Sequence, residues 1–193
     1  MKTVKNKQVL VAADIAGVEL KDAIVADLEQ DGWEVTDIGV KSVQDPNPEM
    51  FHRLGLKVGA KIAEGEFDRA LIFCGTGMGI HIAASKCPHV YAAVAESIPA
   101  ALRSITGNNC NVLAMGGHYV APQTGIQMAR AFLYNNFGDG YEHWGNFKEF
   151  HQLANDEMAA FDYAEFKKNG FEVKKLGEVD LQGNRRITPQ LII

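Results

Sequence analysis

LIFCGTGMGIHIAASK, residues 71 to 86, joins an apolar run to a turn with glycines at 75, 77 and 79, and the turn to a helical pattern. A cysteine, Cys74, stands at the junction. An unbroken apolar run reads as a strand covered on both faces, and a strand that turns through glycine into a helix is half of a β-α-β unit. The same alternation extends in both directions. Upstream, QVLVAAD (8 to 14) reads as a buried strand, GVELKDAIVADLEQDG (17 to 32) as an amphipathic helix ending at glycine, WEVTDIG (33 to 39) as a strand, SVQDPNP (42 to 48) as a polar loop, and roughly 49 to 64 as a helix before RALIFC. Downstream come a helix after Gly79, a strand over 90 to 95, a helix from about Ile98, the strand NVLAMG, and a helix from about Pro122 to Asn135. The expected fold class is α/β, a five-stranded parallel sheet covered by helices on both faces, with right-handed crossovers.

Open parallel sheets place ligands at the carboxyl ends of their strands, where Asp14, Cys74 and Gly116 fall. Glycine permits positive φ and close approach to the backbone, so successive N–H groups between Gly75 and Gly79 can converge on one anionic oxygen. A cysteine beside such a turn is a candidate base or nucleophile. A buried structural cysteine before an ordinary glycine turn is the alternative, and spacing alone does not separate the two. Asp14 reads either as a group that orients a hydroxyl or as a helix N-cap before Gly17. CGTGMG lacks the GxGxxG spacing of a dinucleotide site.

The chain has 193 residues, 47% of them hydrophobic, with a net charge of −5 and no block of Lys and Arg. Those values suit one domain with an appendage and argue against nucleic acid or an anionic membrane surface as partner. Three cysteines, Cys74, Cys87 and Cys110, cannot all pair, and the amino terminus has no signal-like apolar stretch, so a reducing, cytoplasmic setting is expected. No apolar run is long enough to span a bilayer. His52, His81, His89 and His151 are too widely spaced for a metal motif, and neither metal nor cofactor is expected. The division expected is residues 1–137 as the α/β domain and 138–193 as an extension made of a loop, one long helix and an extended tail, packing on the domain or on a partner subunit. The apolar end LII would cover either a neighbouring subunit or its own domain. Trp33 reads as core, and Trp144 as a wall of the pocket.

CGTGMGIHIAASK, together with DIAGVELKDAI (14 to 24) and GNNCNVLAMGG (107 to 117), resembles the ribose-5-phosphate isomerase B and galactose-6-phosphate isomerase family over roughly residues 8 to 137. The resemblance implies a three-layer flavodoxin-like or Rossmann-like sandwich and metal-independent aldose-ketose isomerisation through a cis-enediolate. It also implies a homodimer, or a dimer of dimers, with sites between subunits. By position it assigns Cys74 as the base and gives Thr76 and the amides around Gly75, Gly77, Met78 and Gly79 the task of holding the enediolate. Asp14 and Asn108 also match its site positions. Without the resemblance, Asn108 reads as a turn residue of GNN.

The departures narrow the substrate. Histidine is usual in the family where this chain has Ile15, and again where it has Gly107; the second is associated with opening the sugar ring. The phosphate arginines have no match: His118 stands at one such position, and Tyr141 and Gly145 fall within the segment that replaces the others. His118, His143 and Arg103 are candidate partners for a carboxylate; if the arginines are misaligned and the substrate is a phosphate, Arg103 or Arg130 from a partner chain are the next candidates. A sugar acid that reacts from an open-chain form, such as 4-deoxy-L-threo-5-hexosulose uronate, explains both absences. A sugar phosphate is the alternative substrate, and a non-catalytic sugar-acid binding module is the alternative from another class; the thiol at 74 argues against the latter.

Overall fold

The computed structural model describes residue 4 and residues 6–142 and 145–179. His143, Trp144 and the apolar end LII lie outside the described residues. Five strands, β1 (Gln8–Ala13), β2 (Glu34–Asp37), β3 (Ala70–Cys74), β4 (Ala92–Val94) and β5 (Val112–Gly116), pair in parallel in the order β2-β1-β3-β5-β4. The helices between and after them are α1 (Val18–Gln30), α2 (Phe51–Ala63), α3 (Met78–Ala84), α4 (Ile98–Thr106) and α5 (Pro122–Leu133).

Steps from β1 to β2 and from β4 to β5 run one way across the sheet, and steps from β2 to β3 and β3 to β4 run the other. Right-handed crossovers therefore place α1 and α4 on one face and α2 and α3 on the opposite face. Packing agrees: α5 lies against both α1 and α4, and α2 lies against α3. The three-layer parallel sandwich expected from the alternation is the fold. Every residue of β3 and β5 is buried, as the unbroken apolar runs require of central strands, while β2 and β4 form the half-buried edges.

The order departs from the flavodoxin arrangement 2-1-3-4-5 in its last two strands. With β5 inserted beside β3, the carboxyl ends of β1, β3 and β5 become neighbours. The chain leaves β1 and β3 in opposite directions, which opens a crevice there.

Local differences from the sequence reading have local causes. The helix after β3 starts at Met78 and not after Gly79, because Gly77 adopts φ 75° and completes the turn by itself. The strand expected over 90 to 95 shrinks to Ala92–Val94. Its neighbour Tyr91 gives its carbonyl to the amides of Asn111 and Val112 at the sheet's margin. In the extension, the single long helix is two: α6 (Phe147–Ala159) and α7 (Tyr163–Lys168). Asp162 starts the second by accepting from the Glu165 amide at 2.9 Å. The Asp-x-x-Glu pattern at 162 to 165 is a capping-box signal visible in the sequence. Trp33 is core, 6% exposed, with its indole N–H donating to the Tyr134 hydroxyl at 2.8 Å.

Lys21 on α1 is buried, and its ammonium lies 2.6 Å from Asp37 Oδ2, 3.0 Å from Asp22 Oδ1 and 3.0 Å from the Val40 carbonyl. This clamps α1 to the exit of β2. Burial pushes the Asp37 carboxyl up, but Lys21, Lys41 and the Gly39 amide outweigh it and hold the group below its ordinary value. Lys21→Met removes the buried partner of that carboxylate, leaving Lys41 and the Gly39 amide to hold it, and is expected to remove about 2 kcal/mol of stability, which is roughly 4–8 °C in Tm for a chain of this size. Adding Asp37→Asn should return part of the loss. Because the folded-state value is depressed, the Asp37 contribution is complete above about pH 4 and disappears as pH falls through the folded value. Thermal unfolding followed across that range should show a flatter acid limb for Asp37→Asn.

Candidate active site

Cys74 is the last residue of β3 and pairs in register with Gly116 at the end of β5. Its carbonyl accepts from the Gly117 amide at 2.9 Å, and the next carbonyl, of Gly75, accepts from the His118 amide at 3.0 Å. The sheet ladder thus continues beyond the strands and fixes the turn. Within it, the Gly77 amide donates to Cys74 Sγ at 3.1 Å and orients the thiol, which is 4% exposed. The Met78 amide donates to Thr76 Oγ1 at 3.3 Å. Two amides of the expected anion nest are therefore engaged inside the turn, and an incoming oxyanion would compete with the Thr76 hydroxyl for one of them.

The other loops close on this turn. A β-carbon at Gly75 would sit 2.6 Å from His118 Nε2, so the imidazole lies directly over that glycine. Asp14 follows β1, and its Oδ1 accepts from the amides of Ala16 at 3.0 Å and Gly17 at 3.2 Å. Here the N-cap reading needs correction. The residue that caps α1 is Gly17, with no side-chain hydrogen bond, and Asp14 closes the turn ahead of the helix. Burial pushes the Asp14 carboxyl above its ordinary value, against the two amides and the nearby His118, which act in the opposite direction.

One group at this end was not read from the sequence. The ring of Phe51, at the start of α2, covers Gly79, since a β-carbon there would lie 2.5 Å from its Cε2. Gly116 touches the Thr76 backbone in the same sense, at 2.8 Å. Nothing in SVQDPNPEM announces the first contact, because α2 reaches the site through its packing, chiefly on α3. The second was legible, since GG after a strand signals close backbone approach. Ile15, Met78 and Tyr119 flank the site and are 40%, 49% and 57% exposed.

Asp14, Cys74, Gly75, Thr76, Gly77, Met78, Gly79 and His118 are thus brought together, whereas Arg103 and Asn108 are not. Asn108 is exposed on the turn between α4 and β5, at the amino ends of the strands. The four residue steps of β3 from Ala70 to Cys74, at about 3.3 Å each, separate the two edges by about 13 Å. Its neighbour Asn109 takes the left-handed φ of 53° that a GNN turn requires. Arg103 lies in the last turn of α4, its guanidinium 4.5 Å from the centre of the Tyr141 ring. Arg130, at the end of α5, pairs with Asp27 at 2.8 Å. His52, His81, His89 and His151 share no cluster; among the described residues no three His, Cys, Asp or Glu side chains converge as a metal site would require. Among the same residues, no helix is long and apolar enough to cross a membrane.

Comparison with known proteins identifies the arrangement. Residues 9–149 match the protein family described as Ribose/Galactose Isomerase. The chain is 37% identical over 161 residues to 4-deoxy-4-sulfo-D-erythrose isomerase of Clostridium sp. strain MSTE9, a match covering 83% of this chain and 99% of the relative. It is 37% identical over 128 residues to D-erythrulose-4-phosphate isomerase 2 of Mycolicibacterium smegmatis, covering 65% and 80%. Among solved structures, ribose-5-phosphate isomerase B of Mycoplasma genitalium, with bound ribulose-5-phosphate, superposes with a TM-score of 0.68 at 25% identity, covering 83% of this chain and 96% of that one. These relatives are isomerases, which sets aside the non-catalytic alternative. A parallel sheet that presents a thiol, a glycine turn and an aspartate at one edge is here the scaffold of a sugar isomerase, and the chain belongs to the ribose/galactose isomerase family.

Proposed function

We propose that this isomerase interconverts an aldose and a ketose that remain open-chain and carry a singly charged acid group, with a four-carbon sulfonate as the leading case. Position 107 carries the reading. Where the family has the histidine associated with ring opening, a side chain on Gly107 would meet the Arg103 carbonyl at 3.2 Å, the Tyr141 hydroxyl at 3.8 Å and the Phe147 ring at 3.9 Å. Glycine leaves no imidazole there, and the side chains nearest the position are the Tyr141 hydroxyl and the Phe147 ring. The relatives named for 4-deoxy-4-sulfo-D-erythrose and D-erythrulose 4-phosphate support it. In those sugars the oxygen at C4 is absent or esterified, so no five-membered ring closes and no ring-opening group is needed.

The charge argument favours the sulfonate. A phosphate dianion calls for arginine forks, and the nearest candidate at this edge is His118 over Gly75. A sulfonate or carboxylate bears one charge, which an imidazole with amide and hydroxyl donors can hold. The deoxy-hexosulose uronate belongs to this class, while the relatives favour the shorter carbon chain.

In the proposed reaction, Cys74 as thiolate takes the proton from the carbon beside the carbonyl and returns it to the former carbonyl carbon. The intervening cis-enediolate is held by Thr76 and the turn amides, while one proton passes between the two oxygens. Asp14 holds a substrate hydroxyl. Asn108 would reach this site only from a second copy, and the exposed Ile15, Met78 and Tyr119 offer apolar surface for that copy to cover.

Three outcomes are expected. Cys74→Ala should lower kcat by at least roughly a hundredfold with the fold intact by circular dichroism, whereas Cys87→Ser and Cys110→Ser retain activity; full activity in Cys74→Ala removes the base assignment. In a panel assay, 4-deoxy-4-sulfo-D-erythrose should turn over with a kcat/KM above those of D-erythrulose 4-phosphate, ribose 5-phosphate and the deoxy-hexosulose uronate, and free phosphate should inhibit poorly; a preference for ribose 5-phosphate sinks the open-chain reading. Finally, inactive Cys74→Ala and Asn108→Ala chains, unfolded and refolded together, should recover about a quarter of wild-type activity through mixed dimers that contain one intact site. No recovery means that each site is built from one chain.

A further inference from the structure

Beyond the sheet, residues 172–179 return along α6. Gly177 lies against Leu153, the Leu176 amide donates to Glu157 Oε1 at 2.9 Å, and Glu178 and Val179 line a cavity with Phe150. Between this returning segment, the end of α6 and α7 runs a groove made of two adjoining cavities of about 190 and 380 Å³, which share Glu157, Phe161 and Val173. Its apolar walls face solvent: Met158 and Phe161 are each 54% exposed and Val173 56%. Its rim is acidic, with Glu157, Asp162, Glu165 and Glu172 against a single ammonium, Lys174. An apolar trough bordered by carboxylates calls for an occupant that is apolar and basic.

We propose that the groove seats the chain's own carboxyl-terminal segment, residues 180–193, DLQGNRRITPQLII, which lie outside the described residues. The composition is complementary. Arg185 and Arg186 match the carboxylate rim, and Ile187, Leu191, Ile192 and Ile193 match the trough, while Asp180 is the segment's one acid. The reach suffices as well. Val179 sits beside Phe150, and the eight helical residues from there to Met158 rise about 12 Å. The ten residues after Gly183 span up to about 33 Å when extended, and Gly183-Asn184 supplies turn chemistry for the reversal. Seated in this way, the segment would bury the apolar face of an extension in which α6 and α7 together have one buried side chain, Asn155.

Hydrogen exchange of the full chain, read by mass spectrometry, tests the proposal. Amides of residues 185–193 should exchange at least about tenfold more slowly than in an isolated peptide of the same sequence. Phe161→Asp should abolish the protection. Glu165→Lys with Glu172→Lys reverses two exposed carboxylates and should weaken protection to a similar extent, with circular dichroism checking that α7, whose first turn holds Glu165, is retained. Arg185→Glu with Arg186→Glu should do the same from the other side, and combining the two charge reversals should restore protection to within about threefold of wild type. Exchange at the free-peptide rate in the wild-type chain overturns the proposal. So does failure of the combined reversals to restore protection when each pair alone has weakened it. Protection that fades on about hundredfold dilution assigns the groove to another copy's segment and overturns it too.

Discussion

At the carboxyl edge of the sheet three loops meet with no room for a side chain between their backbones. A β-carbon at Gly17 would lie 2.6 Å from Phe73 Cβ, one at Gly116 2.8 Å from the Thr76 carbonyl carbon, and one at Gly77 3.0 Å from the Met115 carbonyl carbon. This backbone-on-backbone packing is the constraint on which the site depends. It holds Asp14, the Cys74 turn and His118 on adjacent strands, and the order β1-β3-β5 makes those strands adjacent. Were β4 next to β3, as in the flavodoxin order, the loop carrying His118 would be one strand spacing farther away, about 4.8 Å.

Most of this was legible in the sequence, for a physical reason. Central parallel strands are apolar on both faces, so QVLVAA, ALIFC and VLAMG announce themselves without any partner in view. Glycines in a strand-to-helix turn mark close approach, which is why the turn after Cys74 could be located from residue types alone. Edge strands carry a weaker signal: VYAAVA looked longer than β4 is, since a strand paired on one side ends where its partner's hydrogen bonds end. Strand order was not legible at all. It is set by which helix faces pack, and the exchange of β4 and β5 leaves no mark in local periodicity.

The site was legible to a different depth at each residue. Cys74, Thr76 and Asp14 follow strands directly, so their position along the sheet follows from the strand assignment. Arg103 and Asn108 were grouped with them by residue type and by resemblance, yet α4 runs from the carboxyl edge back to the amino edge and carries both away. Phe51 was missed for the converse reason, because a helix on the opposite face delivers it through packing. The aromatic stack of Tyr141 on Phe147, with ring centres 3.6 Å apart and planes within 3°, and of Phe147 on His151 at 3.8 Å, belongs to the same category. GDGYEHWGNF shows aromatic residues, but nothing in it reveals that they close over Gly107.

That stack links the two parts of the chain. The Gly138 amide donates to the Thr106 carbonyl at 2.9 Å, next to Gly107, and the first residue of α6 sets its ring 3.9 Å from where a β-carbon at 107 would stand. A β-carbon at 107 would stand in ordinary van der Waals contact with the Tyr141 hydroxyl and the Phe147 ring, so an imidazole there would lie among them. On the proposed reading glycine in place of that histidine has a low chemical cost. An open-chain substrate does not need the imidazole, and the aromatic pair beside the glycine anchors a helix that otherwise buries little. The same substitution would be ruinous in an enzyme that must open a ring, because packing area gained on α6 does nothing for a proton transfer at a ring oxygen. On that reading, the form of the substrate and the seating of α6 meet at one glycine.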